Sequence, residues 1–470
     1  MATSTTLPAP VDRASLRRVT RIAAAAALGG FLFGYDSAVI NGALTGIQDH
    51  FGVDSGETAT VVAVALLGSA AGASVAGRLA DRLGRLRVMH IAAVLFAVSA
   101  LGSSMPPDIW TLGIWRVLGG IAIGLASVIG PTYIAEIAPP AHRGKLASFQ
   151  QMAIVLGITA SQLVNWGIAQ GADGKGQNPL GPLDAWQWML MAAVVPALCY
   201  LVLTLTIPES PRHLVATGRL ERATAVLREV EGRGVDPPAR IKQIQQAIAR
   251  DNKPRFADLR GRFGLLPVVW AGIGLAVFQQ FVGINVIFYY SSILWQSVGI
   301  DESNSLLISL STSIVNIIGT VVAMAFIDRI GRKPLAMIGS VGMTVALAVA
   351  AWAFSAKTGT GDDITIPDTQ GTVALVAAHV FVFFFAVSWG VILWVMVGEM
   401  FPLRIRALAV SIATSCNWTA NWAVTETFPD MSDWNLSATY AIYAVCALLS
   451  LVFVKRYVHE TNGRTLESMG

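Results

Sequence analysis

A chain of 470 residues that is 54% hydrophobic and only 13% charged is too apolar for a water-soluble globule, and it points to a membrane protein. Its formal charge of +4 is no nucleic-acid footprint: of 33 Lys and Arg, 30 fall in tails and loops of one side, Lys175 and Lys357 fall on the other, and Arg116 lies inside a helix. That asymmetry sets topology and predicts both termini in the cytoplasm.

In chain order, residues 1–21 are expected to form a cytoplasmic tail, Thr/Pro/Ala-rich over 1–11, and no cleavable signal is expected. Apolar runs long enough to span a bilayer then fall near 22–47, 58–80, 88–105, 109–137, 146–170 and 186–207. Residues 208–263 are polar, with helical spacing in 220–231 and 239–250, and carry no nucleotide-binding glycine loop. Six more runs follow near 264–298, 304–327, 334–356, 370–400, 405–428 and 435–457, and 458–470 is a second short tail. Twelve crossings in two sets of six are expected, with 22–207 and 264–457 as the halves and 208–263 as a helical linker on the cytoplasmic face. Cys199, Cys416 and Cys446 each sit in an apolar run and read as small core residues without disulfide or metal spacing.

The halves repeat each other. Gly77-Arg78-Leu79-Ala80-Asp81-Arg82-Leu83-Gly84-Arg85 returns as Ile327-Asp328-Arg329-Ile330-Gly331-Arg332-Lys333, with Asp81 and Asp328 247 residues apart. Glu136 with Arg143 returns as Glu399 with Arg406 at offset 263, Glu209-Ser210 as Glu460-Thr461 at offset 251, and Gly34-Tyr35-Asp36 as Gly283-Ile284-Asn285 at offset 249. Arginine is costly at the centre of a bilayer, so the charged turns belong at its edge. Parallel halves around a midplane site are a transporter architecture.

With Pro208-Glu209-Ser210-Pro211-Arg212 after the sixth run and Gln279-Gln280-x-x-Gly283-Ile284-Asn285 in the seventh, the chain resembles the sugar porters of the major facilitator superfamily, over roughly residues 18–467. The closing Glu460-Thr461-Asn462-Gly463 follows that family's signature more loosely, with His459 and Asn462 replacing its proline and lysine. The resemblance implies an all-α membrane protein with twelve transmembrane helices in two six-helix halves and a cytoplasmic helical linker.

Two constellations carry the expected chemistry. Asp36 is an intramembrane carboxylate, costly and usually functional, and Arg116 is its natural partner. Burial disfavours a charged carboxylate and a nearby cation favours it. Together they could bind and release a proton, or form a static ion pair. The resemblance implies the first, since an aspartate here is typical of proton symporters and Ala386 replaces a glutamate of the facilitative branch. The second constellation is a set of amides suited to a polyhydroxy ligand: Gln150, Gln151, Gln162, Asn165, Gln279, Gln280, Asn285, Asn316, Asn417 and Asn421, with Trp394 and Trp418 as flat faces. Any one amide alone is better read as helix packing. The resemblance narrows the sugar contacts to Phe33, Gln151, Ile154, Gln279, Gln280, Asn285, Asn316, Trp394 and Asn417. Ile158 stands where some pentose carriers have glutamine and so favours a hexose; Val391 and Leu393 stand where many relatives have prolines.

Tyr289 and Tyr290, before Ser291-Ser292, suggest a bend in the seventh helix and a gate over bound sugar. Asp81, Arg82, Arg85, Glu136, Arg143 and Glu209, with Asp328, Arg329, Arg332, Glu399, Arg406 and Glu460, form a cytoplasmic charge network. It would pair across the halves and hold the outward-facing state, or merely set topology. His379 reads as a packed histidine, and the run Phe381–Phe385 as lipid-facing or core. The expected activity is import of a hexose, D-glucose foremost, coupled to protons, in a bacterial cytoplasmic membrane. A facilitative uniporter and a membrane sugar sensor are the alternatives, and an enzyme is the least supported. The expected partners are the sugar, the proton and the lipid bilayer, with no cofactor, no metal and no nucleic acid, and the chain is expected to act as a monomer.

Overall fold

The computed structural model describes residues 13–139, 143–231, 236–250, 256–261, 264–357, 366–402 and 405–461. The first half contains α1 (Arg13–Phe51), α2 (Ser55–Leu83), α3 (Arg85–Ser104), α4 (Ile109–Ile137), α5 (Arg143–Gly171), α6 (Ala185–Met191) and α7 (Val194–Leu205). The linker carries α8 (Pro211–Ala216), α9 (Leu220–Glu231) and α10 (Pro237–Arg250). The second half contains α11 (Pro267–Phe281), α12 (Ile284–Gln296), α13 (Glu302–Ile330), α14 (Arg332–Phe354), α15 (Asp368–Val387), α16 (Trp389–Glu399) and α17 (Arg406–Tyr457). The strands are two short hairpins, Pro179–Leu180 with Leu183–Asp184 and Arg260–Gly261 with Gly264–Leu265.

Among the described residues, eleven helical stretches are long and apolar enough to cross a bilayer. The last has 50 residues, about 75 Å as one helix, more than twice a ~30 Å hydrocarbon core. Its backbone leaves helical geometry at Asn435, beyond Pro429, and the chain turns back there. This stretch therefore crosses twice, and twelve crossings result.

The cause of each break is local. Asp54, Asp108 and Asp301 cap α2, α4 and α13, each accepting the backbone N–H three residues on, at 2.8, 2.9 and 3.0 Å. The Thr111 hydroxyl and then its N–H hold the Asp108 carboxyl below its ordinary range, and the Asn304 N–H and then its side-chain amide do the same for Asp301. On the opposite face, the tight turns between α2 and α3 and between α13 and α14 use Gly84 and Gly331 at φ +98° and +93°. A Cβ at these two positions would also come within 2.4 Å of Glu209 and 2.8 Å of Glu460. The seventh crossing breaks at Gly283, at φ +82°, rather than at Tyr289–Ser292 as the sequence suggested; those four residues are helical and buried within α12. The tenth breaks at Ser388, between α15 and α16.

The first half is closely packed through its own backbones. Cβ atoms at Gly68, Gly72, Gly120 and Gly124 would meet backbone oxygens across the α2–α4 contact at 1.9–2.5 Å, and at Gly34 and Gly157 across α1–α5 at 2.0 Å. Small residues allow this approach in membranes. Side chains join the halves at the face away from the linker. Asn41 Nδ2 donates to Ser309 Oγ at 3.2 Å and its Oδ1 accepts the Ser292 N–H at 2.9 Å. Thr60 donates to Glu426 at 2.8 Å, the Gly176 N–H to Glu302 at 2.8 Å, and Gln170 to Ser303 at 2.6 Å. Exposed apolar side chains such as Ile114, Val195, Val345 and Trp352 clothe the outside. Cys199 is exposed among them, not in the core as its apolar surroundings suggested; no disulfide joins the three cysteines.

Candidate functional site

The break at Gly283 places the end of α11 and the start of α12 beside one another, so three amides of one motif converge. Gln279 donates to the Trp389 carbonyl at 3.0 Å; Gln280 donates to Asn417 Oδ1 at 3.1 Å; Asn285 donates to Gln280 Oε1 at 2.6 Å. Asn417, on α17, donates to Gln279 Oε1 and the Ala276 carbonyl, both at 2.9 Å. These amides hold one another in fixed orientations. Facing them, Gln151, Ile154 and Ile158 recur on one side of α5, and Phe33 lies against Trp418 at 5.3 Å between ring centres.

Phe33, Gln151, Ile154, Ile158, Gln279, Gln280, Asn285, Asn316, Trp394, Asn417 and Trp418 all line one cavity between the halves, with about 770 Å³ of empty space counted to its open side. Among the described residues, the side chains of Gln151 and Asn316 make no hydrogen bond, and the Trp418 indole N–H is buried without a partner. Trp394 is 37% exposed, the most open of the set. The walls thus combine amide donors and acceptors with flat apolar faces, the chemistry that desolvated hydroxyls and a C–H surface require.

Several wall residues were not legible beforehand. Ser37, Phe288 and Phe385 line the cavity. Phe381 and Phe385 are buried in the core, as that run was read, and Phe385 lines the cavity as well. Among the other amides, Asn421 lines the cavity and donates to Tyr289 at 3.4 Å. Gln162 and Asn165 instead donate to the carbonyls of Ala38 and Val39, at 3.4 and 2.9 Å, as helix-packing groups. Gln150 is buried beside Gly30 and Gly130, outside the cavity wall. Tyr289 lines the cavity; Tyr290 lies beyond it, donating to the Thr425 carbonyl at 3.1 Å and packed on Phe428.

Asp36 and Arg116 lie just behind this wall, one residue from Ser37. Arg116 Nη1 is 3.2 Å from Asp36 Oδ2 and Nη2 is 3.3 Å from the Asp36 carbonyl, with both residues under 5% exposed. Arg116 Nε has no hydrogen-bond partner among the described residues. His379 is packed between Ser311 Oγ and the Leu375 carbonyl, each at 2.8 Å.

On the linker face the charges form two copies of one node, each inside its own half. Arg85 binds both oxygens of Glu136 at 3.0 Å and reaches Asp81 at 3.2 Å. Glu209 accepts the backbone N–H groups of Arg85 and Leu86 at 3.1 and 3.2 Å, and Ser210 donates to Glu136. In the second half Arg332 binds Glu399 at 3.2 Å and Asp328 at 3.0 Å. Glu460 accepts the N–H groups of Arg332 and Lys333 at 3.0 and 2.9 Å, and Thr461 donates to Glu399 at 2.6 Å. Pairing between the halves was expected; among the described residues these contacts stay within a half. Arg82 and Arg329 are exposed, Arg406 donates to the Phe401 carbonyl, and the Arg143 side chain lies outside the described residues. The first node also holds a buried imidazole: His213 Nδ1 is 3.4 Å from Arg85 Nη1.

Two six-crossing halves around a polar midplane cavity, with a charged node repeated in each, define a membrane carrier of the major facilitator type. Residues 22–470 match the family described as sugar (and other) transporter, and the chain belongs to that family. It is 51% identical over 459 residues to the glucose transport protein of Synechocystis sp., covering 97% of this chain and 98% of the relative. It is 35% identical over 477 residues to the D-xylose-proton symporter of Escherichia coli, covering 94% and 93%. A structure of the xylose transporter XylE from E. coli in a partially occluded inward-open conformation superposes with a TM-score of 0.81 at 34% identity, covering 95% of this chain and 99% of that one. The protein is a multi-pass membrane transporter of sugars, and its family consists of carriers rather than enzymes.

Proposed function

We propose that this protein imports a hexose, D-glucose foremost, together with a proton, by alternating access across the cytoplasmic membrane, as a monomer with both termini inside. The observation that carries the coupling is the buried Asp36–Arg116 pair, one residue from the wall of the amide-lined cavity. Facing outward, Asp36 takes a proton from water. Its hold on Arg116 weakens and the cost of a buried charge falls, so the loaded carrier rearranges. Release inside restores the pair. The relatives bear on this unequally: one is named for glucose alone, another for xylose with a proton. Gln279, Gln280, Asn285, Asn417, Gln151 and Asn316 would bind the sugar hydroxyls, Phe33, Trp394 and Trp418 its C–H face, and Tyr289 would close over it.

The test is uptake of labelled glucose, xylose, galactose and fructose into vesicles with and without a proton gradient. Wild type should concentrate glucose when the gradient is present. Asp36→Asn should bind glucose and exchange it but never concentrate it, with a flattened pH profile. Concentrative uptake by Asp36→Asn would remove the assignment. A wild type that only equilibrates sugar would make the protein a uniporter and Asp36 a structural partner.

A further inference from the structure

We propose that the groove between the start of α1, the end of α7 and linker helix α9 is a binding site for an anionic glycerophospholipid of the cytoplasmic leaflet. The placement of this groove at that leaflet rests on the orientation proposed above. It holds about 1780 Å³ of empty space counted to its open side, and Glu229 of α9 forms part of its rim. Arg17, Arg18 and Arg21 are exposed along it. Arg18 is ion-paired with Glu229, which ties α1 to the linker, whereas Arg17 and Arg21 have no carboxylate partner among the described residues.

The order of side chains along α1 matches the order of chemical groups in a phospholipid. Arg17, Arg21, Ala24 and Leu28 recur at helical spacing and form one stripe about 16 Å long. Two cations stand at the end facing the linker, and small or apolar side chains follow toward the membrane interior. Ala24 is exposed and leaves space that Leu203 of α7, 41% exposed, borders from the other side. An acyl chain fits this apolar part. Arg17 and Arg21 then meet the phosphate, which a guanidinium binds through two N–H groups at once. Basic pockets between helices on the cytoplasmic side attract anionic headgroups in this way. Orientation of the chain in the membrane needs only the number of positive charges; it does not account for a groove with apolar walls continuing the charged stripe.

The experiment is native mass spectrometry of the full-length protein, delipidated and then given phosphatidylglycerol or phosphatidylcholine. Sugar binding measured on every variant reports folding. Wild type should retain phosphatidylglycerol about tenfold better than phosphatidylcholine. Arg17→Gln with Arg21→Gln should lose that preference. Ala24→Trp, which fills the apolar part and keeps every arginine, should lose the bound lipid as well. Arg222→Gln with Lys242→Gln removes the same charge elsewhere on the linker and should leave retention unchanged. The proposal is overturned if the arginine pair and Ala24→Trp both retain phosphatidylglycerol as wild type does, or if the control loses as much as the arginine pair. It is also overturned if inorganic phosphate raises the melting temperature as far as phosphatidylglycerol does, which would make the groove a free-anion site.

Discussion

At the scale of single residues, side chains with the same chemistry take different parts according to what already satisfies them. Asn165 and Gln162 bond to backbone carbonyls of α1, whereas the side chains of Gln151 and Asn316 face the cavity without a partner among the described residues. Asn285→Ala removes a cavity amide and releases Gln280 Oε1, so glucose affinity should fall about fivefold to tenfold, from ~1–1.5 kcal/mol for a lost hydrogen bond, while the melting temperature stays near wild type. Equilibrium binding with calorimetry checks this; unchanged affinity removes α12 from the site. His213 is a second case. Burial lowers its basicity below the ordinary 6.5, Glu209 opposes this, and Arg85 and Arg219 add to the lowering. A lowered imidazole favours its neutral form in the folded protein, so its contribution is present above pH 6.5 and is lost as pH falls through the lowered value. Melting temperature should therefore drop on mild acidification, and His213→Phe should reduce that drop; an identical pH slope in the variant refutes it.

At the scale of helices, much could be read in advance. Runs of apolar residues located the crossings because a bilayer requires about 20 residues of helix, and the two charged turns revealed the repeat. The node pairs Glu209 with Glu460 and Ser210 with Thr461 at matching atoms, as their spacing implied. The direction of pairing could not be read, because like-spaced charges permit contacts within or between halves. The bend of the seventh crossing lies at Gly283, where φ is positive, and not at Tyr289–Ser292, because serine and tyrosine can stay helical whereas only glycine takes that backbone angle freely. Glu426, near the end of an apolar run, has no counterpart in the repeat or the motifs, yet it joins α17 to α2 through Thr60. Gly84→Ala should destabilise the protein, since the new Cβ meets Glu209 at a backbone angle that alanine resists. The expected reading is a lower melting temperature with sugar affinity intact in the surviving folded fraction; wild-type stability would mean that the turn relaxes freely.

At the scale of the molecule, the halves meet through side chains at one end and enclose the cavity between them. Asn41 is fully buried in that seam and serves Gln162, Ser309 and the Ser292 N–H together. Asn41→Ala leaves the Ser292 N–H unpaired only while the seam is closed, so the population should shift toward the state open to the outside by about tenfold, the equivalent of ~1.4 kcal/mol. Distances between spin labels on α1 and α13 would report it, and an unchanged distribution would show that the seam does not set the equilibrium.

The glycine contacts have a mechanical consequence. Where backbone lies on backbone, as between α2 and α4 or α1 and α5, there is no slack to take up movement, and displacement by even one methyl group meets a carbonyl. Those contacts fall inside the first half, while the seam between the halves includes hydrogen bonds that can be exchanged for water one at a time. Stiffness and compliance are thus separated in space: the first half moves as one lever, and the work of switching falls on a zip of polar contacts.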